Sequence, residues 1–208
     1  MGPTLSDDSD VRKFRGMLRA SQLLEPTRTG RLTASSGVTS DTREGNHMTT
    51  VKSIPEGLQS VFPMLVCPSP EDEMNFCAAA FGAVEQVRRP GPDGSPIHIA
   101  MRINGAFLVV QSEFPDVAAS RAPLLDGSSP VVIFVYVADV DHAVECAAAK
   151  GAKILMPAQD QFWGDRTARI LDPSGHVWTV ASRIEETTEE QRTKRWSDIR
   201  EGAQSDRT

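Results

Sequence analysis

The heptapeptide CAAAFGA at Cys77–Ala83 recurs as CAAAKGA at Cys146–Ala152, 69 residues later, with one change, Phe81 against Lys150. Each copy follows an acidic stretch suited to a helix start: Pro70-Glu71-Asp72-Glu73 in the first, Asp139-Val140-Asp141 in the second. Each then leads into an apolar, β-like run. A self-match at fixed spacing means one supersecondary unit built twice, and it limits the possible topologies more than any composition figure. It also poses the functional question, because two such units packed together create a cleft between them.

From Gln59 onward the order of elements repeats. Val61–Cys67, bounded by Pro68 and Pro70, reads as a strand. Pro70–Ala80 has acids in its first turn and Met74, Phe76, Cys77 and Ala80 at helical spacing, with Gly82 where a left-handed cap is wanted, so a helix is predicted. Strands follow at Val84–Arg89, Pro96–Ile103 and Ala106–Ser112, separated by the turn Pro90–Gly94 and the hairpin pair Asn104-Gly105. After the Ser-, Asp-, Pro- and Gly-rich loop Phe114–Pro130, the second unit gives a strand at Val131–Val137 and a helix at Asp139–Lys150. Asp139 is its N-cap and Gly151 its C-cap. Three strands close it, at Lys153–Pro157, Arg166–Leu171 and His176–Ser182. The predicted class is α+β, with two tandem βαβββ units at about 59–112 and 131–183 forming a cupped mixed sheet within a domain spanning 54–185. A charged helix over 187–201 follows, with Trp196 as the one large apolar anchor, expected to dock on the body or on a partner subunit.

Residues 1–50 are rich in Ser, Thr, Gly and Arg and are expected to be a disordered extension. Val11–Leu24 within them can form a basic amphipathic helix, Asp7, Asp8 and Asp10 argue against a transit peptide, and Met48 is a candidate alternative start. The net charge of −6 and pI near 5.3, with no basic stretch carrying aromatics, give no reason to expect nucleic acid. No apolar run is long enough to span a bilayer. Cys67, Cys77 and Cys146 are an odd number without CxxC spacing, which predicts buried reduced thiols in a cytoplasmic protein.

Four local motifs lie on this doubled frame in order: Gly91–Gly105 (GxxDGxxxHxxxRI-NG), Asp139–Ala152 (DVDxAVxxAxxxGA), Met156–Arg166 (MPxQDQFWGDR) and Asp172–Trp178 (DPxGHxW). Together, over about Ile54–Arg195, they resemble the vicinal oxygen chelate superfamily of glyoxalases, bleomycin-resistance proteins and extradiol dioxygenases, and within it the PhnB-like branch. The resemblance implies a cleft holding a divalent metal on His, Gln or Glu from the first and last strand of each unit. Spacing places those positions at Val132 and Thr179 in the second unit and at Pro63 and Val109 in the first. None is a normal ligand, and a slip of one or two residues brings in only Phe62 and Gln111. No metal ligand and no cofactor are therefore predicted; a divalent ion would need a non-standard site.

The expected ligand-binding residues are Gln161, Phe162, Trp163, Asp165, Arg166 and Trp178, a mixture of flat apolar walls and a few polar groups. Arg166 can clamp a carboxylate or phosphonate; the plainer alternative is that it pairs with Asp165 and fixes a loop. In the family this arginine precedes a Tyr-Gly pair, replaced here by Thr167-Ala168. His98 alternates with Ile97, Ile99 and Met101, which places it on the face opposite them. With Glu113, at the end of its strand, it is the weak candidate for acid–base catalysis. His142 reads as solvated and His176 as a structural hydrogen-bond former. The expected function is metal-independent binding of a small molecule by a homodimer, cationic ligands being favoured by the acidic composition. A lyase or isomerase using His98 and Glu113 is the alternative, and a docking role for the tail and the Trp196 helix is a third.

Overall fold

The structure, a computed structural model, describes residues 52–114, 116 and 120–205. The expectations for residues 1–50, including the Val11–Leu24 helix and the Met48 start, lie outside the described residues. The chain divides into two units at Leu58/Gln59, and the repeated fold lies wholly in the second.

Each half of the duplication makes its own four-stranded sheet. The first contains β1 (Met64–Cys67), β2 (Val84–Pro90), β3 (Pro96–Ile103) and β4 (Ala106–Ser112) in the order β1-β4-β3-β2. The second contains β5 (Val132–Tyr136), β6 (Lys153–Asp160), β7 (Asp165–Leu171) and β8 (Val177–Arg183) in the order β5-β8-β7-β6. In both, the strand before the helix pairs parallel with the last strand and the other pairs are antiparallel. The predicted mixed βαβββ architecture is the observed one.

Helix α1 (Pro70–Phe81) starts at Ser69, whose hydroxyl accepts the Asp72 N–H; α2 (Val140–Ala149) starts at Asp139, whose carboxylate accepts the His142 N–H. α1 is capped by Gly82 at φ 67°, as expected; α2 is capped one residue earlier than expected, by Lys150, and Gly151 at φ 94° follows it. The two helices pack together, and the helix-facing sides of both sheets complete one hydrophobic core through Leu65, Cys67, Ile99, Met101, Val110, Val135, Ile170, Trp178 and Val180. The halves are also tied by polar contacts. His176 Nε2 donates to the Val66 carbonyl at 3.0 Å, and Asn104 Nδ2 to the Tyr136 carbonyl at 2.7 Å.

Three boundaries differ from expectation by three residues or more, for local reasons. β6 runs through Pro157 to Asp160, because it is an edge strand and the missing proline N–H costs no ladder bond there. β1 begins at Met64, after Pro63, and leaves Val61 solvated. Helix α3 (Glu189–Ser205) extends past 201 and starts with a reciprocal capping box, Gln191 N to Thr188 Oγ1 and Thr188 N to Gln191 Oε1. Of the cysteines, Cys67 and Cys77 are fully buried, whereas Cys146 is only half-buried beside His142. No helix among the described residues is long and apolar enough to cross a membrane.

Candidate functional site

Alternation along each strand sends one row of side chains to the helices and the next to the outer face of its sheet. On the second sheet the outward rows run Phe134–Thr179–Arg169 and Tyr136–Ala181–Thr167, in cross-strand register. Phe134 and Tyr136 remain about half exposed, and Met156 stands opposite Arg169 on the edge strand. The outward face is therefore an aromatic surface with Arg169 standing among short side chains. Arg169 makes no hydrogen bond or ion pair among the described residues.

The segment Gln161–Arg166 forms the β6–β7 turn at one end of this face. Gln161 N–H donates to the Asp165 carbonyl at 2.7 Å, and Gly164 closes the turn at φ 93°. A Cβ at Gly164 would strike the Glu185 carbonyl, so the close approach requires glycine. Phe162 packs between Trp163 (4.9 Å) and Trp196 of α3 (5.2 Å), and its carbonyl accepts Arg195 Nη1. Trp196 does dock on the body, and the turn is its docking surface.

Asp165 and Arg166 are adjacent in sequence and point to opposite sides of the sheet. Asp165 is 1% exposed; its Oδ2 accepts Tyr136 Oη and Trp163 Nε1, both at 2.8 Å, and Arg183 Nε lies 2.8 Å from Oδ1. The bond to Asp165 pushes the Tyr136 phenol pKa up. Arg166 lies on the helix side, where Nε and Nη2 grip Asp141 in bidentate fashion and Nη1 reaches Asp160 at 2.7 Å. Its guanidinium is thus engaged by two carboxylates, and neither of them is Asp165. Trp178 also faces the helices, fully buried against Phe81 at 4.8 Å with Nε1 on Asp172 at 2.7 Å. Gln161 Nε2 makes a long bond of 3.4 Å to the Gln159 carbonyl. Of the six residues read from sequence, Trp163 and Asp165 join the outward constellation. Tyr136 and Arg169 were not among them. Their signal was the two-residue period they share with Phe134 and Thr167.

On the first sheet the outward rows are Met64–Val109–Ala100 and Val66–Gln111–His98–Arg89. His98 lies opposite the buried Ile99 and Met101, as its alternation predicted. Burial first, and Arg89 second, hold its imidazole below the usual range. Glu113 lies beyond the strand end, and its Oε1 accepts the Ala122 N–H at 2.7 Å, which fixes the following loop. The carboxylate of Glu113 is thus spent on the loop backbone, and the structure does not join it to His98 as an acid–base pair. A shallow groove of about 530 Å³ lies elsewhere, along the β2–β3 hairpin, with Arg88 in its wall already held by Glu71 and Glu85.

The donor set does not fit a glyoxalase-type metal. The outward residues on the first and last strands of each sheet are Met64, Val66, Phe107, Val109 and Gln111, and Val132, Phe134, Tyr136, Val177, Thr179, Ala181 and Arg183. These offer one amide, one hydroxyl, one phenol and one cationic guanidinium, and no imidazole or carboxylate. Among the described residues no group of three or more His, Cys, Asp or Glu is arranged to hold a metal ion.

The chain is similar to uncharacterised proteins of Mycobacterium bovis and Mycobacterium tuberculosis, each 37% identical over 126 residues, 60% of this chain, and covering 83% and 74% of those proteins. Among solved structures it is similar to TioX from Micromonospora sp. ML1, at 26% identity and a TM-score of 0.48 over 60% of this chain and 98% of that one. It is also similar to the fosfomycin resistance protein FosX of Listeria monocytogenes, crystallised with Mn(II), at 20% identity and a TM-score of 0.46 over 65% of this chain and 94% of that one. The model of the Glyoxalase/Bleomycin resistance protein/Dioxygenase superfamily matches residues 59–180, most of both repeat units, and the chain belongs to that superfamily.

Proposed function

We propose that this protein is a metal-independent small-molecule-binding protein of the glyoxalase/bleomycin-resistance type, its ligand held on the outward sheet faces beside the Gln161–Arg166 turn. The observation that carries the reading is the outward face of the second sheet. Phe134, Tyr136, Met156 and Trp163 supply apolar surface, Asp165 and Arg169 supply polarity, and the positions where the family places metal ligands hold Val132 and Thr179. A ligand site needs that mixture of apolar wall and few orienting groups. The same face supports homodimerisation. Val132, Phe134, Tyr136 and Met156 are all exposed on it, and such a patch is covered by a partner more often than left in water.

The test is metal analysis of protein purified without added metal, joined to a thermal-shift screen over divalent ions and small aromatic ligands. Metal-independent binding requires no stoichiometric metal, no shift with Zn, Ni or Mn, and a ligand shift that Trp163→Ala abolishes. Stoichiometric metal with a large stabilisation would instead establish a metalloenzyme. A metal-free lyase or isomerase is favoured by one observation, the half-buried His98, held toward its neutral form, whose Nδ1 has no partner. Turnover lost in His98→Gln, with ligand binding retained, would select that reading.

A further inference from the structure

We propose that Arg89 and His98, flanked by Gln111, form a site for the oxyanionic group, carboxylate or phosphonate, of a small-molecule ligand. The three residues lie on neighbouring strands in direct register, Arg89 opposite His98 and His98 opposite Gln111, so their side chains share the outward face of the first sheet. Within this row the buried Arg89 Nε and His98 Nδ1 both lack a hydrogen-bond partner. Buried polar atoms in folded proteins are almost always paired, and two orphans side by side mark a place where an acceptor is missing. The acceptor that fits is an anion. A guanidinium N–H and an imidazole N–H converging from adjacent strands match the two oxygens of a carboxylate or phosphonate.

The surroundings agree in sign. After burial, the charge of Arg89 is what holds the His98 imidazole below the usual range. The outward residues of the sheet are otherwise Met64, Val66, Val84, Val87, Ala100, Arg102, Phe107 and Val109, so this face is locally cationic although the whole chain is acidic. Arg102 is already used, donating to the Gly105 carbonyl and lying 5.6 Å over the Phe107 ring. The second sheet repeats the bias with Arg169. Net composition favoured a cationic ligand, whereas the exposed faces favour an anionic one. A divalent metal is disfavoured in the same row, since Arg89 would face it with like charge. The site deepens the ligand-binding reading and rests on it.

The experiment follows the histidine side-chain NMR signals of the full-length protein, assigned with His98→Gln, during titration with benzoate, phenylphosphonate, inorganic phosphate and benzylamine. Benzoate or phenylphosphonate is expected to move the His98 ring signals saturably and to raise the melting temperature, while benzylamine does neither. Stronger binding of one acid over the other decides between carboxylate and phosphonate. A response to inorganic phosphate alone marks an adventitious ion only and overturns the site as a ligand pocket. Arg89→Gln should weaken binding about tenfold, the scale of one lost charge-assisted bond, with Arg89→Lys intermediate and circular dichroism unchanged in both. Anion binding that leaves His98 unmoved, or an unchanged Kd in Arg89→Gln, overturns the proposal. If benzylamine or benzyl alcohol stabilises the protein while anions do not, the anion site fails and the ligand-binding reading stands. If no probe of any charge binds, both fail.

Discussion

The carboxyl groups of Glu73, on α1, and Asp172, in the β7–β8 turn, are buried near each other across the junction of the two repeats, both residues 1% exposed, and Glu73 Oε1 accepts the Cys77 thiol. Asp172 is the acceptor for Ser174 N–H, His176 N–H and Trp178 Nε1, and Glu73 keeps its proton beside it. Burial, followed by the charge of Asp172, raises the Glu73 pKa from 4.5 to about 8.

That pair makes stability depend on pH. The unfolded chain releases the Glu73 proton near pH 4.5 and the folded chain near 8. Between these values the folded state holds one more proton, so stability falls as pH rises, by up to about 1.4 kcal/mol per unit. Glu73→Gln keeps the side chain's size and removes the titration. Urea midpoints measured across this window should decline for the natural chain and flatten in the variant. Parallel slopes for the two proteins would show that Glu73 is not the titrating group.

Asp165 anchors the outward face of the second sheet. Asp165→Ala leaves the Tyr136 phenol and the Trp163 indole without their acceptor and should cost about 2–3 kcal/mol, while Tyr136→Phe removes one donor and should cost about 1 kcal/mol. Chemical unfolding followed by tryptophan fluorescence measures both. An Asp165→Ala protein as stable as the natural one would remove the carboxylate from this role.

Helix α3 is held mainly through Phe162, Trp196 and the Arg195–Glu185 ion pair. Trp196→Ala loses the ring contact, worth about 1 kcal/mol, without touching the core. The expected result is faster amide exchange and trypsin cleavage within α3, with the sheets still protected. Protection lost uniformly would mean that α3 is part of the cooperative core.

Phe134 tests the proposed homodimer. It is 50% exposed, so Phe134→Glu leaves the core intact and places a charge in the middle of the apolar face. Sedimentation velocity should show a dimer for the natural chain and a monomer for the variant. A monomer in both cases would discard the pairing.

The thiols divide by burial. Cys67 and Cys77 are fully buried and their pKa values are raised by desolvation, so neither offers a thiolate near neutral pH. In native protein Cys146 should be the thiol that reacts with an aromatic disulfide reagent, the other two reacting after unfolding. Reaction of all three without denaturant would contradict this burial.

Features set by local chemistry are legible in the amino-acid sequence. Cap residues and glycines mark the helix ends, Asn104-Gly105 marks a hairpin, and the period of two places His98 on the correct face, because each depends on residues within a few positions. The site is only partly legible. Phe162, Trp163, Asp165 and Arg166 form a continuous motif, but alternation alone does not say which face meets the helices. Asp165 finds Tyr136, 29 residues away, and Arg166 finds Asp141, 25 residues away, on the opposite side of the sheet.

The repeated CAAA[FK]GA therefore determined the architecture: two βαβββ units, their helix ends and their strand order, since a duplicated sequence carries duplicated local preferences. The tertiary structure decided which side chains are spent on holding the halves together and which are left over. Trp178 and Asp172 went to the core because α1 and α2 pack on that side of β8, and Arg166 went to Asp141 for the same reason. Arg89, His98 and Arg169 stayed outward, with hydrogen-bonding capacity unused, because the faces that carry them meet no helix among the described residues. That division follows from long-range packing, which the local sequence pattern does not encode.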